Sequence, residues 1–242
     1  MIRLLILLIT IVVFLILSIP ILIVEWIIGK FDPRLSDISS LRIIQGVLKV
    51  LFWETGSTLT VLGEENVPKD EPVLYVGNHR SYFDIVVSYS RCPRVTGYIA
   101  KDNLKGIPLL SSWMVRLKCL FLNRTDIREG LKTILAGIEQ IKGGISMAIY
   151  PEGTRNQADE MLPFKEGSLK MAEKTGCAII PMAICHTDDI LENHFPWVRP
   201  AHVILEYGKP IYPKELSKEE KKFLGAYTRE QIDLMLKKNT NA

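Results

Sequence analysis

The stretch from Val73 to Asp84 reads VLYVGNHRSYFD. Its first five residues form a short apolar run. A run of this length that stops at Gly-Asn-His is typical of a buried strand followed by a loop. His79 lies on that loop, and Asp84 follows five residues later. A neutral imidazole can remove a hydroxyl proton, while a carboxylate fixes its tautomer and stabilises the imidazolium, so the stretch predicts a general base, His79, paired with Asp84.

The same stretch also has a purely structural interpretation. Ser81 and Asp84 form the S-x-x-D pattern of a capping box, and His79 could then be an ordinary residue of a surface turn. The two interpretations are compatible, because a helix that begins at Tyr82 would hold Asp84 in its first turn, facing back toward His79. Side chains five residues apart do not align along a continuous helix, so we expect His79 to lie just before it.

The beginning of the chain has the composition of a membrane anchor. Residues 4–24 are apolar except for Thr10, Ser18 and Pro20. At about 1.5 Å per residue, a helix of this length reaches about 30 Å, which is the thickness of a bilayer core. Pro20 predicts a kink in this helix. A cleaved signal peptide is disfavoured because the apolar region is too long and no small-residue cleavage site follows it.

A second membrane-seeking stretch covers residues 40–53. Its apolar residues surround a narrow polar stripe at helical spacing, which favours a helix lying in the membrane interface. A core helix packed on the domain is the alternative. Together the two stretches predict a membrane-associated two-helix segment over residues 1–57. Basic residues are more frequent on its domain side, which predicts that the domain is cytoplasmic. The stripe consists of Arg42, Gln45, Gly46 and Lys49.

After Gly56 the pattern changes to short apolar runs that alternate with helical patterns. Asp126 and Glu129 form a capping box that opens an amphipathic helix. Similar patterns at Ser217/Glu220 and Thr228/Gln231 predict two short helices in the tail. The alternation predicts an α/β domain over residues 58–242, with a largely parallel or mixed sheet flanked by helices. The strand candidates are residues 59–62, 73–76, 96–100, 118–122, 145–150, 178–184 and 202–207.

A second polar segment, residues 151–155, follows the strand candidate 145–150 and reads PEGTR. In open α/β sheets, ligands bind beyond the carboxyl ends of the strands. Gly153 permits close approach of the backbone, Thr154 offers a hydroxyl, and Arg155 offers a planar guanidinium for phosphate or carboxylate. An ordinary polar turn is the alternative interpretation of this segment.

Two further cations, Lys101 and Arg124, also follow strand candidates. Charges after strands are common because loops are solvated. However, three strand ends with a cation, next to a fourth that carries His79, together favour a site for an anionic substrate.

Composition and missing motifs exclude several classes of protein. The formal charge of +3 is too small to indicate a nucleic-acid partner. The histidines and cysteines lack metal-ligand spacing, so we expect no metal site. A Walker A loop, a dinucleotide fingerprint and a G-x-S-x-G elbow are missing from the sequence. Direct attack by a substrate hydroxyl is therefore the simplest mechanism.

The cysteines expected to be buried and reduced, as in a cytosolic-facing domain, are Cys119, Cys177 and Cys185.

These segments resemble the motifs of the glycerolipid acyltransferase family. Residues 78–84, NHRSYFD, resemble its N-H-x-x-x-x-D motif, and residues 150–155, YPEGTR, resemble its F-P-E-G-T-R motif with tyrosine in place of phenylalanine. Residues 121–124, FLNR, and 179–183, IIPMA, are similar to two further motifs of the family. The resemblance covers about residues 60–210 and is strongest to bacterial members that acylate lysophosphatidic acid.

This resemblance implies a reaction and a set of site residues. A fatty acyl group would pass from a thioester of acyl carrier protein or coenzyme A to the sn-2 hydroxyl of lysophosphatidic acid, giving phosphatidic acid. The co-substrate thioester would be needed but no cofactor, and the enzyme would act at the cell inner membrane from the cytoplasmic side. His79 and Asp84 would be catalytic, and Glu152 would orient the arginines or a substrate hydroxyl. The substrate-binding residues would be Lys101, Arg124, Glu152, Gly153, Thr154 and Arg155.

Several alternatives remain open at this point. The acceptor could be another lysophospholipid, glycerol 3-phosphate or a lipid A precursor, since three cations favour a phosphate without choosing among its carriers. A non-catalytic membrane lipid-binding or transfer module is an alternative of a different class, and a hydrolase acting on phosphatidate is a third.

Overall fold

A seven-stranded sheet forms the centre of this computed structural model, which describes residues 1–158 and 160–240. The order across the sheet is β1-β7-β6-β2-β5-β3-β4. The strands from β6 to β4 are parallel, while β7 runs antiparallel to β6 and pairs in parallel with β1. The predicted α/β fold is confirmed. The strands are β1 Thr58–Leu62, β2 Leu74–Gly77, β3 Thr96–Lys101, β4 Leu120–Leu122, β5 Ser146–Ile149, β6 Ile179–Cys185 and β7 His202–Tyr207.

Helices cover both faces of the sheet. On β2, Tyr75 packs on the face covered by α2 and α3, whereas Leu74 and Val76 pack on the face covered by α5, α6 and α8. A strand buried on both faces appears in the sequence as a continuous apolar run, which is why residues 73–76 could be recognised. The helices are α1 Ile2–Phe31, α2 Pro33–Glu54, α3 Phe83–Ser90, α4 Leu110–Arg116, α5 Ile127–Lys142, α6 Lys170–Thr175, α7 Lys218–Lys222 and α8 Leu224–Thr240.

The first two helices form an antiparallel hairpin. Asp32 connects them and caps α2 by accepting a hydrogen bond from Leu35 N at 2.9 Å. At the opposite end, Thr10 Oγ1 donates to Glu54 Oε1 at 2.6 Å. Helix α1 is continuous through Pro20, and it is long and apolar enough to cross a membrane. Most of its apolar side chains are exposed, which indicates that the protein associates with a membrane.

Helix α2 packs on the domain with one side and is exposed on the other. Leu41 and Leu51 are buried in the core beside α3. The prediction of a polar stripe is wrong at Gln45, which is buried and donates from Nε2 to Tyr89 O at 3.1 Å and to Cys92 O at 2.8 Å. The carbonyl groups at the end of α3 need donors, and Gln45 supplies them. The exposed apolar side chains include Ile38, Val50 and Trp53.

Two further details differ from the sequence prediction. Thr228 does not begin a helix but lies fully buried inside α8, where its Oγ1 donates to Leu224 O at 2.8 Å. Cys177 is only partly buried. The other tail prediction is confirmed, since Ser217 and Glu220 form a complete capping box at the start of α7.

Candidate active site

The carboxyl ends of the five parallel strands lie at one edge of the sheet. His79 follows β2 and residues 152–155 follow the neighbouring strand β5, whereas Lys101 ends β3 and Arg124 follows β4. Strands β3 and β4 are the second and third neighbours of β2 along this edge. At a spacing of about 4.8 Å per strand, these two cations begin about 10 and 14 Å from the end of β2. The fold therefore brings residues 152–155 next to His79 and leaves Lys101 and Arg124 further along the edge.

His79 and Asp84 lie in direct contact just before and within the first turn of α3. His79 Nδ1 is 2.8 Å from Asp84 Oδ2, and the Asp84 side chain is fully buried. The same Oδ2 accepts hydrogen bonds from Arg80 N at 2.7 Å and Ser81 N at 2.8 Å. Ser81 Oγ in turn accepts from Phe83 N at 3.0 Å. One carboxylate therefore binds two backbone N–H groups just before the helix and also contacts the imidazole. The complete capping box predicted for Ser81 and Asp84 is not formed, because the N-cap of α3 is Tyr82 and no side chain caps it.

The contact with Asp84 determines the tautomer of His79. An ionised carboxylate can only accept, so Nδ1 carries the hydrogen and Nε2 of the neutral imidazole is left as an acceptor. The His79 ring stacks on the Tyr150 ring at 4.3 Å between centroids and 14° between planes. Burial raises the pKa of the Tyr150 hydroxyl well above its ordinary value, and the nearby Asp84 raises it further. Tyr150 is therefore uncharged, and its stacked ring limits the movement of the imidazole.

Glu152 supports the loop that carries His79. Its side chain is buried, and Oε1 accepts a hydrogen bond from His79 N at 2.9 Å. Oε2 accepts from Leu162 N at 3.0 Å and from Asn156 Nδ2 at 3.2 Å. Asn156 N also donates to His79 O at 2.7 Å. The prediction that Glu152 orients arginines or a substrate hydroxyl does not match these contacts, because its oxygens face backbone and amide donors.

Arg155 lies above the first turn of α3 with its guanidinium stacked on Tyr82, 3.6 Å from the ring centroid. Its Nη2 donates to the Tyr82 hydroxyl at 2.9 Å, and its Nη1 is 3.4 Å from Glu192 Oε1. The Glu192 carboxylate also accepts from Ser81 Oγ at 2.7 Å and Tyr82 N at 2.9 Å. Arg155 is about one-third exposed. An arginine held by an aromatic ring and one carboxylate keeps donors available for an anionic ligand.

The two residues before Arg155 shape the turn. Gly153 has a φ of +77°, a conformation that is unfavourable for residues with a side chain, and a Cβ there would lie 2.8 Å from Lys165 Nζ. Gly153 N donates to Tyr150 O at 3.0 Å, which closes the turn. Thr154 is exposed, and its hydroxyl is 3.5 Å from Arg155 O. The turn therefore depends on glycine, while the Thr154 hydroxyl faces the surface.

Lys101 and Arg124 are exposed at the far part of the edge. Partial burial lowers the pKa of the Arg124 guanidinium from its ordinary value, and the nearby carboxylate of Asp102 opposes this effect. An arginine nevertheless keeps its charge in proteins, and Lys101 is the second cation of this region. They extend the positive surface that begins at Arg155 along the sheet edge.

The loop after β6 also contributes to the site, which was not predicted from the sequence. Thr187 Oγ1 donates to Asp84 Oδ1, and Asp188 Oδ2 accepts from Arg80 Nε at 2.9 Å. Glu192, described above, lies in the same loop. The signal was available, because these polar residues follow an apolar strand candidate in the same manner as His79, Lys101 and Arg124 do. All three contacts hold the segment that contains His79 and Asp84.

Comparisons with known proteins agree with this architecture. Residues 58–185 match the family pattern named Acyltransferase. The chain is 32% identical over 195 residues to the 1-acyl-sn-glycerol-3-phosphate acyltransferase of Borreliella burgdorferi, covering 80% of this chain and 77% of that one. It is 29% identical over 213 residues to the enzyme of the same name from Saccharomyces cerevisiae, covering 87% of this chain and 67% of that one.

A solved structure is similar over the whole chain. The crystal structure of the 1-acyl-sn-glycerophosphate acyltransferase from Thermotoga maritima has a TM-score of 0.86 and 26% sequence identity, and the match covers 100% of this chain and 96% of that one. The similarity therefore includes the N-terminal helices as well as the sheet.

Proposed function

This chain belongs to the acyltransferase family, and we propose that it transfers a fatty acyl group from a thioester to the sn-2 hydroxyl of lysophosphatidic acid. The product is phosphatidic acid. The observation that carries this proposal is the contact of His79 Nδ1 with Asp84 Oδ2 at 2.8 Å, which leaves Nε2 of the imidazole as an acceptor at the carboxyl end of β2. The names of the relatives described above support the choice of acceptor.

In the proposed mechanism His79 acts first as a base and then as an acid. Nε2 removes the proton of the acceptor hydroxyl while the hydroxyl oxygen attacks the thioester carbonyl carbon, so that a C–O bond forms and the carbonyl oxygen becomes an oxyanion. The buried negative charge of Asp84 stabilises the resulting imidazolium. When the oxyanion collapses, the C–S bond breaks and the thiolate takes the proton back from Nε2. The atoms and charges balance without a covalent acyl-enzyme.

Arg155 is the cation best placed to hold the phosphate of the acceptor. The phosphate and the reacting hydroxyl belong to one glycerol unit, so the group that binds the phosphate must lie close to His79. Arg155 stacks on Tyr82, three residues after His79, whereas Lys101 and Arg124 follow more distant strands. A phosphate held by a guanidinium fork fixes the hydroxyl for attack. Lys101 and Arg124 then attract the anionic substrate, and Gly153 and Thr154 shape the turn that presents Arg155.

The hydrophobic hairpin suits a substrate that resides in a bilayer. We place residues 1–57 at the inner membrane as the anchor and the domain of residues 58–242 on its cytoplasmic side, where acyl carrier protein or coenzyme A thioesters are made available. Exposed apolar side chains on α1 and α2 support this placement. An epitope at the C-terminus should be digested in inside-out vesicles and protected in intact spheroplasts. Protection in both preparations, or digestion only in spheroplasts, would contradict the orientation.

An acceptor panel tests the proposed reaction. The full-length protein in detergent receives labelled palmitoyl thioester, carried on acyl carrier protein or on coenzyme A, with lysophosphatidic acid, monoacylglycerol or glycerol 3-phosphate as acceptor. We expect phosphatidic acid from lysophosphatidic acid, and at least about tenfold slower acylation of monoacylglycerol because it lacks the phosphate that Arg155 would bind. Equal rates with and without the phosphate, or no acyl transfer to any acceptor, would overturn the proposal.

A further inference from the structure

The two oxygens of the Asp84 carboxylate are satisfied unequally. Oδ2 accepts three hydrogen bonds, from His79 Nδ1 and from the backbone N–H groups of Arg80 and Ser81. Oδ1 accepts one, from Thr187 Oγ1, and this is its only donor among residues 1–158 and 160–240. Asp84 and Thr187 are both fully buried, so solvent cannot replace that donor.

The fold places Thr187 at this position through the side chain of Asn78. Asn78 Nδ2 donates to Ile184 O at 2.9 Å, and Ile184 N donates to Asn78 Oδ1 at 2.8 Å. This pair of bonds fixes the end of β6 beside the loop that follows β2. His186 then adopts a φ of +65°, a conformation that non-glycine residues rarely adopt, and turns the chain back toward α3. The next residue, Thr187, therefore meets Asp84, although the two are 103 residues apart in the sequence.

We propose that Thr187 is a positioning residue of the acyl transfer reaction, whose hydroxyl holds the Asp84 carboxylate oriented toward Nδ1 of His79. This inference rests on the proposed function of His79 and Asp84. Because an ionised carboxylate only accepts, the Thr187 hydroxyl must donate to it. Without this donor, the buried Oδ1 is left unpaired, and the carboxylate rotates away from the imidazole to find another partner.

The groups around Asp84 provide no substitute for this donor. From the loop after β2, His79 and the backbone of Arg80 are already bonded to Oδ2, and the Arg80 guanidinium is turned toward Asp188. From the segment after β5, the Tyr150 hydroxyl is 3.1 Å from Ser88 Oγ. The remaining charged groups nearby, Glu152 and Asp188, are carboxylates with donors of their own and cannot donate to a third carboxylate when ionised.

The test compares Thr187→Val, which keeps the shape and removes the hydroxyl, with Thr187→Ser, which keeps the hydroxyl. Thr228→Val is the matched control, because Thr228 is also fully buried but its hydroxyl bonds to Leu224 O inside α8. The first readout is the pH profile of kcat/KM for lysophosphatidic acid with palmitoyl thioester. The second is the pH profile of His79 modification by diethylpyrocarbonate, followed by mass spectrometry, which needs no turnover.

For Thr187→Val we expect kcat to fall about 10- to 100-fold, less than for loss of the base itself. We expect KM for lysophosphatidic acid to stay within about twofold, because no phosphate contact changes. Because a carboxylate that has rotated away stabilises the imidazolium less, the acidic limb of both pH profiles should move to lower pH, by about one unit. The kcat of Thr187→Ser should lie within about threefold of the wild-type value, because serine keeps the hydroxyl. The kcat and both pH profiles of Thr228→Val should match those of the wild type.

Unchanged profiles for Thr187→Val in both readouts, or an equal loss in Thr187→Ser, would overturn the role of Thr187. Failure of the proposed function would look different, because the wild type itself would then form no phosphatidic acid. In that case the modification profile of His79 still decides whether Thr187 controls the His79–Asp84 pair.

Discussion

Replacing Glu152 by glutamine should destabilise the protein more than replacing Asp84 by asparagine, although both changes remove one charge from a buried site. The reason lies in what faces each oxygen. Both oxygens of Glu152 face N–H donors, with His79 N on Oε1 and Leu162 N and Asn156 Nδ2 on Oε2. A glutamine can satisfy the pair of donors with its oxygen, but its NH2 group must then face the N–H of His79.

The expected magnitude follows from this mismatch. One hydrogen bond to a charged acceptor is lost, and the other two weaken because the acceptor becomes neutral, so the free energy of unfolding should fall by about 2–3 kcal/mol. For a chain of this size, that corresponds to a melting temperature lower by about 5–10 °C. Because the displaced donor is the backbone of His79, turnover should also fall, by up to about 100-fold for a misplacement near 1 Å.

Asp84→Asn is the matched control. Its oxygen can face the three donors on the Oδ2 side, while its NH2 group faces the Thr187 hydroxyl, which can turn and accept. Its bonds weaken because the acceptor becomes neutral, but no donor is left facing another donor, so we expect the melting temperature to fall by less than that of Glu152→Gln. Its activity should nevertheless fall about 10²- to 10⁴-fold, because a neutral amide does not stabilise the imidazolium.

The assay is thermal unfolding of the detergent-solubilised full chain, followed by circular dichroism, together with phosphatidic acid formation at saturating substrate. A Glu152→Gln variant as stable as the wild type would refute the account of Glu152 as the support of the His79 loop. So would an Asp84→Asn variant that unfolds at an equally low temperature, because the asymmetry of their donors would then have no effect.

Two further predictions concern the phosphate site and the thiols. Arg155→Gln should raise KM for lysophosphatidic acid about 10- to 100-fold, with a smaller change in kcat, because a charge-assisted contact to the phosphate is lost. Initial rates at varied lysophosphatidic acid concentration measure both constants. A lower kcat with an unchanged KM would contradict the role of Arg155. Burial raises the pKa of Cys92 to about 12 and that of Cys119 to about 11, so both thiols stay protonated at pH 8. Iodoacetamide should therefore alkylate the partly buried Cys177 first. Mass spectrometry gives the order of labelling. Modification of Cys92 before Cys177 would contradict this prediction, because it would show that the core around Cys92 is open to the reagent.

The sequence was sufficient wherever the information is local. All seven strands were predicted, with ends within two residues, because strands covered on both faces are short apolar runs between polar segments. The contact between His79 and Asp84 could also be anticipated, since both lie within one strand–loop–helix unit. The same holds for the capping box of Ser217 and Glu220, whose partners are three residues apart.

The parts of the site that the sequence did not reveal depend on the order of the strands. Thr187 and Glu192 reach Asp84 and Arg155 only because β6 lies beside β2, and apolar runs of similar composition do not state which strands are neighbours. Glu152 was expected to orient arginines or a substrate hydroxyl. In the fold, the backbone N–H groups of His79 and Leu162 lie closer and determine where its carboxylate points.

The helix predictions that were wrong have a similar cause. Thr228 fits a capping pattern, but tertiary packing extends α8 upstream to Leu224 and buries the threonine inside the helix. Gln45 fits a polar stripe, but carbonyl groups at the end of α3 bind its amide. In both cases a long-range contact outweighed a local pattern.

Removal of the imidazole decides whether His79 is the base of an acyl transfer to lysophosphatidic acid. Wild type and His79→Ala are compared in single-turnover formation of phosphatidic acid from labelled palmitoyl thioester, after circular dichroism has shown equal folding. The account predicts a rate at least about 100-fold lower in the variant, the scale expected for a general base. Phosphatidic acid formed at similar rates by both proteins would contradict it.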